Sequence, residues 1–348
     1  MQLTELDVVG IGNAIVDIIA HADDGFLARH GMQKGGMTLI DETRAETLYA
    51  EMGPAVQLSG GSAGNTIAGL ASLGAQTGYI GKVKEDALGR IFHHDITAAG
   101  VKFPTAAASD GPATARCLIF VTPDAQRTMN TYLGACANLT PDDVDEELIR
   151  AAKITYLEGY LYDPPGAKSA FHRAAEIAHA AGRKVALSLS DSFCVNRYRD
   201  EFRDLARLHV DYLFANEHEI TTLFETNLDD ALSRIVNEVE VAAVTCGAAG
   251  SVIATRTETL RIAAAPVAQI IDTTGAGDLY AAGFLFGLAR NLPLAECGRL
   301  ASLAAAEIIS HYGGRPETPL NEYVARCGWG HVIGERSAVG DGRGSEAK

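Results

Sequence analysis

The chain has 348 residues, 47% of them hydrophobic and 21% charged. That is the composition of a soluble globular protein, long enough for a substantial core in one large α/β domain or in two domains. A formal net charge of −15 argues against nucleic acid and anionic membranes as partners, since both select basic faces, but not against phosphate ligands in a locally positive site.

Six cysteines (Cys117, Cys136, Cys194, Cys246, Cys297 and Cys327) are dispersed with no CxxC pair. This fits reduced thiols in a cytoplasm better than disulfides or a zinc site. The N-terminal stretch lacks a basic start, and its apolar run contains Asn13 and Asp17, so it does not read as a secretory signal. The uncharged stretch 241–255 is punctuated by glycine and too short to span a bilayer.

In chain order, residues 7–20 are predicted to form a first strand. Gly10 and Gly12 imitate a dinucleotide fingerprint, but Ile15 stands where the third glycine belongs, so the fingerprint fails. Asn13 and Asp17, four apart on an extended chain, would share one face of that strand. They read equally as turn or bulge residues or as two polar groups on one face of an otherwise apolar strand.

Gly60-Gly61-Ser62-Ala63-Gly64-Asn65-Thr66 then opens a helix of small residues, without the lysine of a Walker loop. Residues 105–135 contain two strand-like runs around the turn signal TPDAQ, predicted as a hairpin in a small lid sheet that parts of 14–55 complete. Arg127 stands at its base. From 141 to 214 helical and strand-like runs alternate, which predicts a doubly wound, mainly parallel sheet with ligands at the C-terminal strand ends. Tyr160, Tyr162 and Phe193 fall at such ends, either as core or rim aromatics or as platforms that stack on a base.

Asn216 and Glu219 follow the next strand, with the spacing of a capping box. Thr245, Gly247 and Gly250 belong to a turn between two strands. The apolar run 263–271, interrupted by Pro266 and Gln269, is predicted as a strand leading into Asp272-Thr273-Thr274-Gly275-Ala276-Gly277-Asp278. The helix that follows is apolar nearly all round and therefore buried. Its free N–H groups suit a phosphate or a developing anion, and Asp278 beside them suits a base that accepts a hydroxyl proton. A loop that merely caps a core helix would use the same residue types. Residues 333–348 are polar and Gly-rich and are expected to be disordered.

The 272–278 segment with Gly283, the Gly60-Gly61 turn with Asn65, the Asn216-x-x-Glu219 motif and the Thr245-x-Gly247-x-x-Gly250 turn occur in one order. Together they resemble the ribokinase-like (PfkB) family of carbohydrate and nucleoside kinases over roughly residues 6–320. Lys84, in the segment 81–89, departs from the glycine usual there. The segment RTMNTYLGA resembles the adenosine-kinase-like branch.

The resemblance implies an α/β ribokinase-like fold with a lid, formed by residues 1–332. It also implies transfer of the γ-phosphoryl of Mg²⁺·ATP to a hydroxymethyl group. Asp278 would be the base, Gly275, Ala276 and Gly277 the anion hole, and Arg127 a charge on the transferring phosphate. Asn13, Asp17, Gly61 and Asn65 would hold the sugar, with Tyr160 and Phe193 on the base of a nucleoside. Asn216, Thr245, Gly247 and Gly250 would contact ATP, and Glu219 would assist Mg²⁺ through water. Asp272 and Thr274 would contribute to a monovalent-cation site for K⁺. Adenosine is the expected acceptor, with ribose, fructose or a related sugar as the alternative, in a cytoplasmic monomer or homodimer. Two rivals stand outside this class: a binding protein without turnover and a dinucleotide-dependent oxidoreductase.

Overall fold

The structure is a computed structural model that describes residues 6–333. The expected disordered tail therefore lies, apart from Ile333, outside the described residues; Ile333 itself ends a short helix, Gly330–Ile333. Thirteen strands are described: β1 (Leu6–Ile11), β2 (Ile15–His21), β3 (Met37–Leu39), β4 (Ala55–Ser59), β5 (Thr77–Ile80), β6 (Ala115–Val121), β7 (Arg127–Tyr132), β8 (Ala152–Glu158), β9 (Lys184–Ser188), β10 (Tyr212–Asn216), β11 (Val241–Thr245), β12 (Ser251–Ala254) and β13 (Thr259–Ile262). Eight form the main sheet in the order β13-β12-β11-β10-β9-β8-β1-β5, parallel from β11 to β5 and antiparallel across β12 and β13.

Strand alternation builds two cores. Tyr156, Ala186, Phe214, Ala243 and Ile253 point to one face of the sheet, where Ser62–Ser72, Ala276–Ala289 and Leu294–Ile308 pack. Their neighbours Leu157, Val185, Leu187, Leu213, Ala242 and Val252 point to the other, against Pro165–Ala180, Arg199–His209 and Glu217–Phe224. Burial on both faces explains why these strands read as continuous apolar runs. The expected doubly wound α/β architecture is present.

The second sheet has five strands in the order β3-β7-β6-β2-β4, with the predicted hairpin β6–β7 at its centre. Its last strand reaches Ser59, four residues beyond the expected limit of 55. Two expectations fail. Residues 7–20 are not one strand: β1 belongs to the main sheet and β2 to the second, so Asn13 and Asp17 do not share a strand face. Glu158 makes the break, because its carboxylate accepts from Asn13 N and Nδ2 and packs against Gly12, where a Cβ would lie 2.4 Å from Oε2. Nor is 263–271 a strand. Strand β13 ends at Ile262, and the run that follows is tied to helix Leu294–Ile308 and its end, with Ala265 N donating to Ser302 Oγ and Ile271 N to Ile309 O. Pro266 offers no donor for a sheet ladder.

The helix Ala276–Ala289 is buried nearly all round, as its sequence requires. It lies so close to Leu294–Ile308 that a Cβ on Gly283 would be 2.6 Å from Ala301 Cα and 2.8 Å from Leu300 O. Backbone cannot yield as a side-chain tip can, so Gly283→Ala should lower the unfolding free energy by about 1–3 kcal/mol. Urea denaturation with an unchanged slope would measure it; an unchanged midpoint would mean that the two helices separate freely.

Candidate active site

The site lies where the C-terminal ends of β1 and β8–β11 meet the second sheet and the start of helix Ala276–Ala289. Gly275 caps that helix with φ 78°, and Ala276 begins it. Gly277 faces open space, since a Cβ there would meet nothing within 4 Å. The first-turn N–H groups of a 14-residue helix thus border an accessible cleft.

Asp278 lies at the cleft floor, enclosed by protein yet still open to the cleft. Its Oδ1 accepts from Ser62 Oγ at 2.6 Å and its Oδ2 from Asn65 Nδ2 at 2.9 Å. Burial raises its pKa, while these two donors and the Arg315 charge oppose the rise. Asn65 Oδ1 is buried without a partner, an acceptor left for a ligand. Gly61 caps the helix whose first turn, through Ser62 and Asn65, holds Asp278.

The second sheet supplies Asp17 and Arg127. The Asp17 carboxylate lies directly against Gly60, where a Cβ would be 2.4 Å from Oδ2. Next along the chain, Gly61 is left-handed (φ 83°), and a Cβ on it would lie 2.3 Å from the Asn13 carbonyl oxygen. The Gly60-Gly61 turn therefore brings Asn13 and Asp17 to one place, although they occupy different elements. Burial lifts the Asp17 pKa to about 6, with Arg315 and Arg127 holding it down and Asp278 pushing it up.

Arg127 Nη1 pairs with Asp272 Oδ2 at 3.0 Å and lies 3.4 Å from Thr274 Oγ1; its Nε is buried without a partner. Asp272 also accepts from Thr274 N and Oγ1 and from Gly313 N. Its carboxylate is thus neutralised by an arginine, and a monovalent cation at Asp272 and Thr274 would have to compete with Arg127.

At the C-terminal end of β10, Asn216 and Glu219 form the full capping box: Asn216 N and Nδ2 donate to the two Glu219 oxygens at 2.9 and 2.6 Å. Burial lifts the Glu219 pKa to about 7. Asn216 is in register with Thr245 across β10 and β11, so the Thr245–Gly250 turn lies beside it. Ser251 Oγ accepts from Tyr280 OH at 2.8 Å, which joins this hairpin to helix Ala276–Ala289. Among the described residues no group of three or more His, Cys, Asp or Glu is arranged to hold a metal ion.

The aromatics divide. Tyr160 is half-buried at the end of β8, close enough to Asp278, Asp191 and Glu219 for their charges to raise its pKa. Tyr162 turns away into the opposite helix layer and stacks on Phe202 with ring centres 4.8 Å apart. Phe193 is 74% exposed, so no packed wall holds it over a ligand in this structure.

Three contributors carry no sequence signal of their own. Ser62 lies inside a small-residue motif. Glu158 resembles an ordinary strand-end acid, yet accepts from Asn13 Nδ2 at 2.7 Å and Ala63 N at 2.7 Å, with its pKa lifted by burial to about 7. Arg315, in a Gly- and Pro-rich loop, donates to Ser59 O, Ser59 Oγ and Gly64 O.

A family model described as pfkB family carbohydrate kinase matches residues 37–321. The crystal structure of adenosine kinase from Sinorhizobium meliloti is 53% identical, with a TM-score of 0.87 over 93% of this chain and 99% of that one. The structure of a "probable sugar kinase protein from Rhizobium etli CFN 42" is 49% identical, with a TM-score of 0.89 over 94% and 100% of the two chains. Adenosine kinase of Saccharomyces cerevisiae is 28% identical over 88% of this chain and 95% of its own. No described helix is long and apolar enough to cross a membrane.

Burial at this site has a consequence for stability. Glu158 titrates near 7 in the folded chain and near 4.5 when unfolded, so its contribution is fully present below pH 4.5 and lost as pH rises through 7. The unfolding free energy should therefore fall between pH 5 and 7. Glu158→Gln should reduce that slope by up to about 1.4 kcal/mol per pH unit. Denaturant titrations at several pH values measure it; equal slopes would show that Glu158 titrates normally.

Proposed function

The chain belongs to the pfkB carbohydrate kinase family, and from that premise we propose that this sugar or nucleoside kinase uses ATP to phosphorylate the hydroxymethyl group of adenosine. The observation that carries the mechanism is the Asp278 carboxylate, fixed by Ser62 and Asn65 at the mouth of a helix whose N–H groups border the cleft.

Asn13, Asp17, Gly61 and Asn65 would hold the sugar, with Asp17 accepting from its hydroxyls. Asp278 would take the proton of the hydroxymethyl group as that oxygen attacks the γ-phosphorus. The N–H groups at Gly275, Ala276 and Gly277 would stabilise charge on the transferring group. Arg127 would add positive charge by exchanging Asp272 for phosphate oxygens. Asn216, Thr245, Gly247 and Gly250 would border the ATP phosphates. Enclosure by the second sheet would keep water from attacking ATP.

Both Glu219 oxygens are committed to Asn216, so the residue fits a hydrated Mg²⁺ that it touches through water, not a tightly caged ion. Bound with ATP, that ion would neutralise phosphate charge.

Adenosine is preferred because the structure of Sinorhizobium meliloti adenosine kinase is 53% identical, and because Tyr160 stands at the cleft where a base would stack. A free sugar is the second reading, favoured by the exposure of Phe193, which leaves Tyr160 without its expected aromatic partner.

ADP release with Mg·ATP should be measured across adenosine, inosine, guanosine, cytidine, ribose and fructose. Adenosine should give the highest kcat/KM, and turnover confined to free sugars would establish the second reading instead. Asp278→Asn should lower kcat by about 10³-fold, within the range for loss of a positioned base. Asp17→Ala should raise the acceptor KM far more than the ATP KM; equal effects on both would remove Asp17 from the acceptor site.

A further inference from the structure

Arg315 lies on the loop between helices Leu294–Ile308 and Leu320–Val324, and several independent contacts fix that loop. Glu307, 3% exposed, accepts from Thr318 N at 2.9 Å and lies 3.2 Å from His311 Nε2. Gly313 N donates to Asp272, and Leu320 N to Ser72 Oγ at the far end of the Ser62 helix. Gly314 lies flat against Asn65, where a Cβ would be 2.6 Å from Nδ2. The loop is thus a rigid arm that delivers one guanidinium to the cleft floor.

None of the three hydrogen bonds of that guanidinium goes to a carboxylate. Nε and Nη2 reach Ser59 O and Oγ, both at 3.1 Å, and Nη1 reaches Gly64 O. Ser59 ends β4 and immediately precedes the Gly60-Gly61 turn on which Asp17 rests; Gly64 lies in the first turn of the helix that carries Ser62 and Asn65. Among the described residues the guanidinium makes no direct ion pair, and its charge is felt by both Asp17 and Asp278.

We infer that Arg315 is a positioning residue for phosphoryl transfer, which ties the acceptor-binding turn to the helix orienting the base and keeps Asp17 and Asp278 ionised together. This rests on the proposed roles of Asp17 and Asp278. Its electrostatic part has a stated environment. Asp17 is faced by Arg315, Arg127, Asp278 and Cys117. Asp278 is faced by Ser62, Asn65 and Arg315, and its charge is felt by Tyr156, Glu158, Tyr160 and Glu219. Asp95 and Tyr79 face Arg315 from the remaining side. Even with Arg315 in place burial lifts Asp17 to about 6, and burial raises Asp278 as well.

The test compares wild type with Arg315→Met and Arg315→Lys in the pH profile of kcat/KM for the acceptor. Loss of the charge should move the acid limb upward by about one unit in Arg315→Met. The variant should lose activity about twofold at pH 7 and about tenfold near pH 5, and recover most of it near pH 9. Arg315→Lys should keep the acid limb near its wild-type position but show a raised acceptor KM, because an ammonium cannot span Ser59 and Gly64. An equal loss for Arg315→Met at every pH, with the limb unmoved, would reduce Arg315 to a structural tie and overturn the inference.

Potentiometric titration of the free proteins reads the same balance without turnover. Arg315→Met should take up extra protons between pH 6 and 8, and an unchanged proton count would overturn the inference. Wild-type protein that phosphorylates no acceptor would fail the kinase reading instead, and the titration would still decide whether Arg315 sets the charge of the pair.

Discussion

The site depends on one junction, the two hydrogen bonds that Ser62 and Asn65 donate to Asp278 from more than 200 residues upstream. A carboxylate at the floor of a cleft loses much of its hydration, and two donors, a helix N-terminus and a nearby arginine offset that loss. The junction can form only if two helices approach closely. Gly69 permits this, since a Cβ there would meet Leu279 Cδ1 at 2.5 Å and Ala282 Cβ at 3.0 Å. Small residues in the Ser62 helix thus serve Asp278 indirectly, by letting its hydrogen-bond donors reach it.

The second constraint is that the polar groups of the site come from both the second sheet and the main body. Asp17 is on β2 and Arg127 opens β7, whereas Asp278 and the free N–H groups at the start of its helix belong to the main body. The Arg127–Asp272 pair, with side chains 8% and 9% exposed, is the most buried charged link between the two. It joins the base of the second sheet to the loop that leads into helix Ala276–Ala289. On the proposed reaction, a charge that would later face a phosphate is held against a carboxylate on that loop, so arrival of the nucleotide would act on this ion pair.

The alternating strands and helices of 141–214, the hairpin of the second sheet and the buried helix after Asp278 were legible because local periodicity reports burial directly. The break at Asn13 was not legible, because Glu158 causes it from 145 residues away. Residues 263–271 have the apolar content of a strand, but β13 already closes the sheet edge and Pro266 cannot join a ladder. Tyr160 and Tyr162, two apart beyond a strand end, were indistinguishable by type; a 3₁₀ turn over Gly159–Tyr162 sends one to the cleft and the other to the opposite core. Arg315 was invisible for a related reason. Nothing local separates a solvated arginine in a glycine-rich loop from one whose hydrogen bonds lie some 250 residues upstream.

Charge explains why that arginine matters. Asp17, Glu158, Glu219 and Asp278 crowd the cleft, and burial raises the pKa of all four. Among the cations that act on Asp17 and Asp278, Arg127 is paired with Asp272 and Arg315 is held by neutral oxygens. Both guanidiniums are thus already engaged, and burial raises the proton affinity of the four carboxylates around them. On the proposed reaction, the two arginines would act differently. Phosphates that enter with their own cation would draw Arg127 away from Asp272, while Arg315, fixed by its backbone bonds, would stay behind to hold the acceptor's carboxylate and the base in their charged forms.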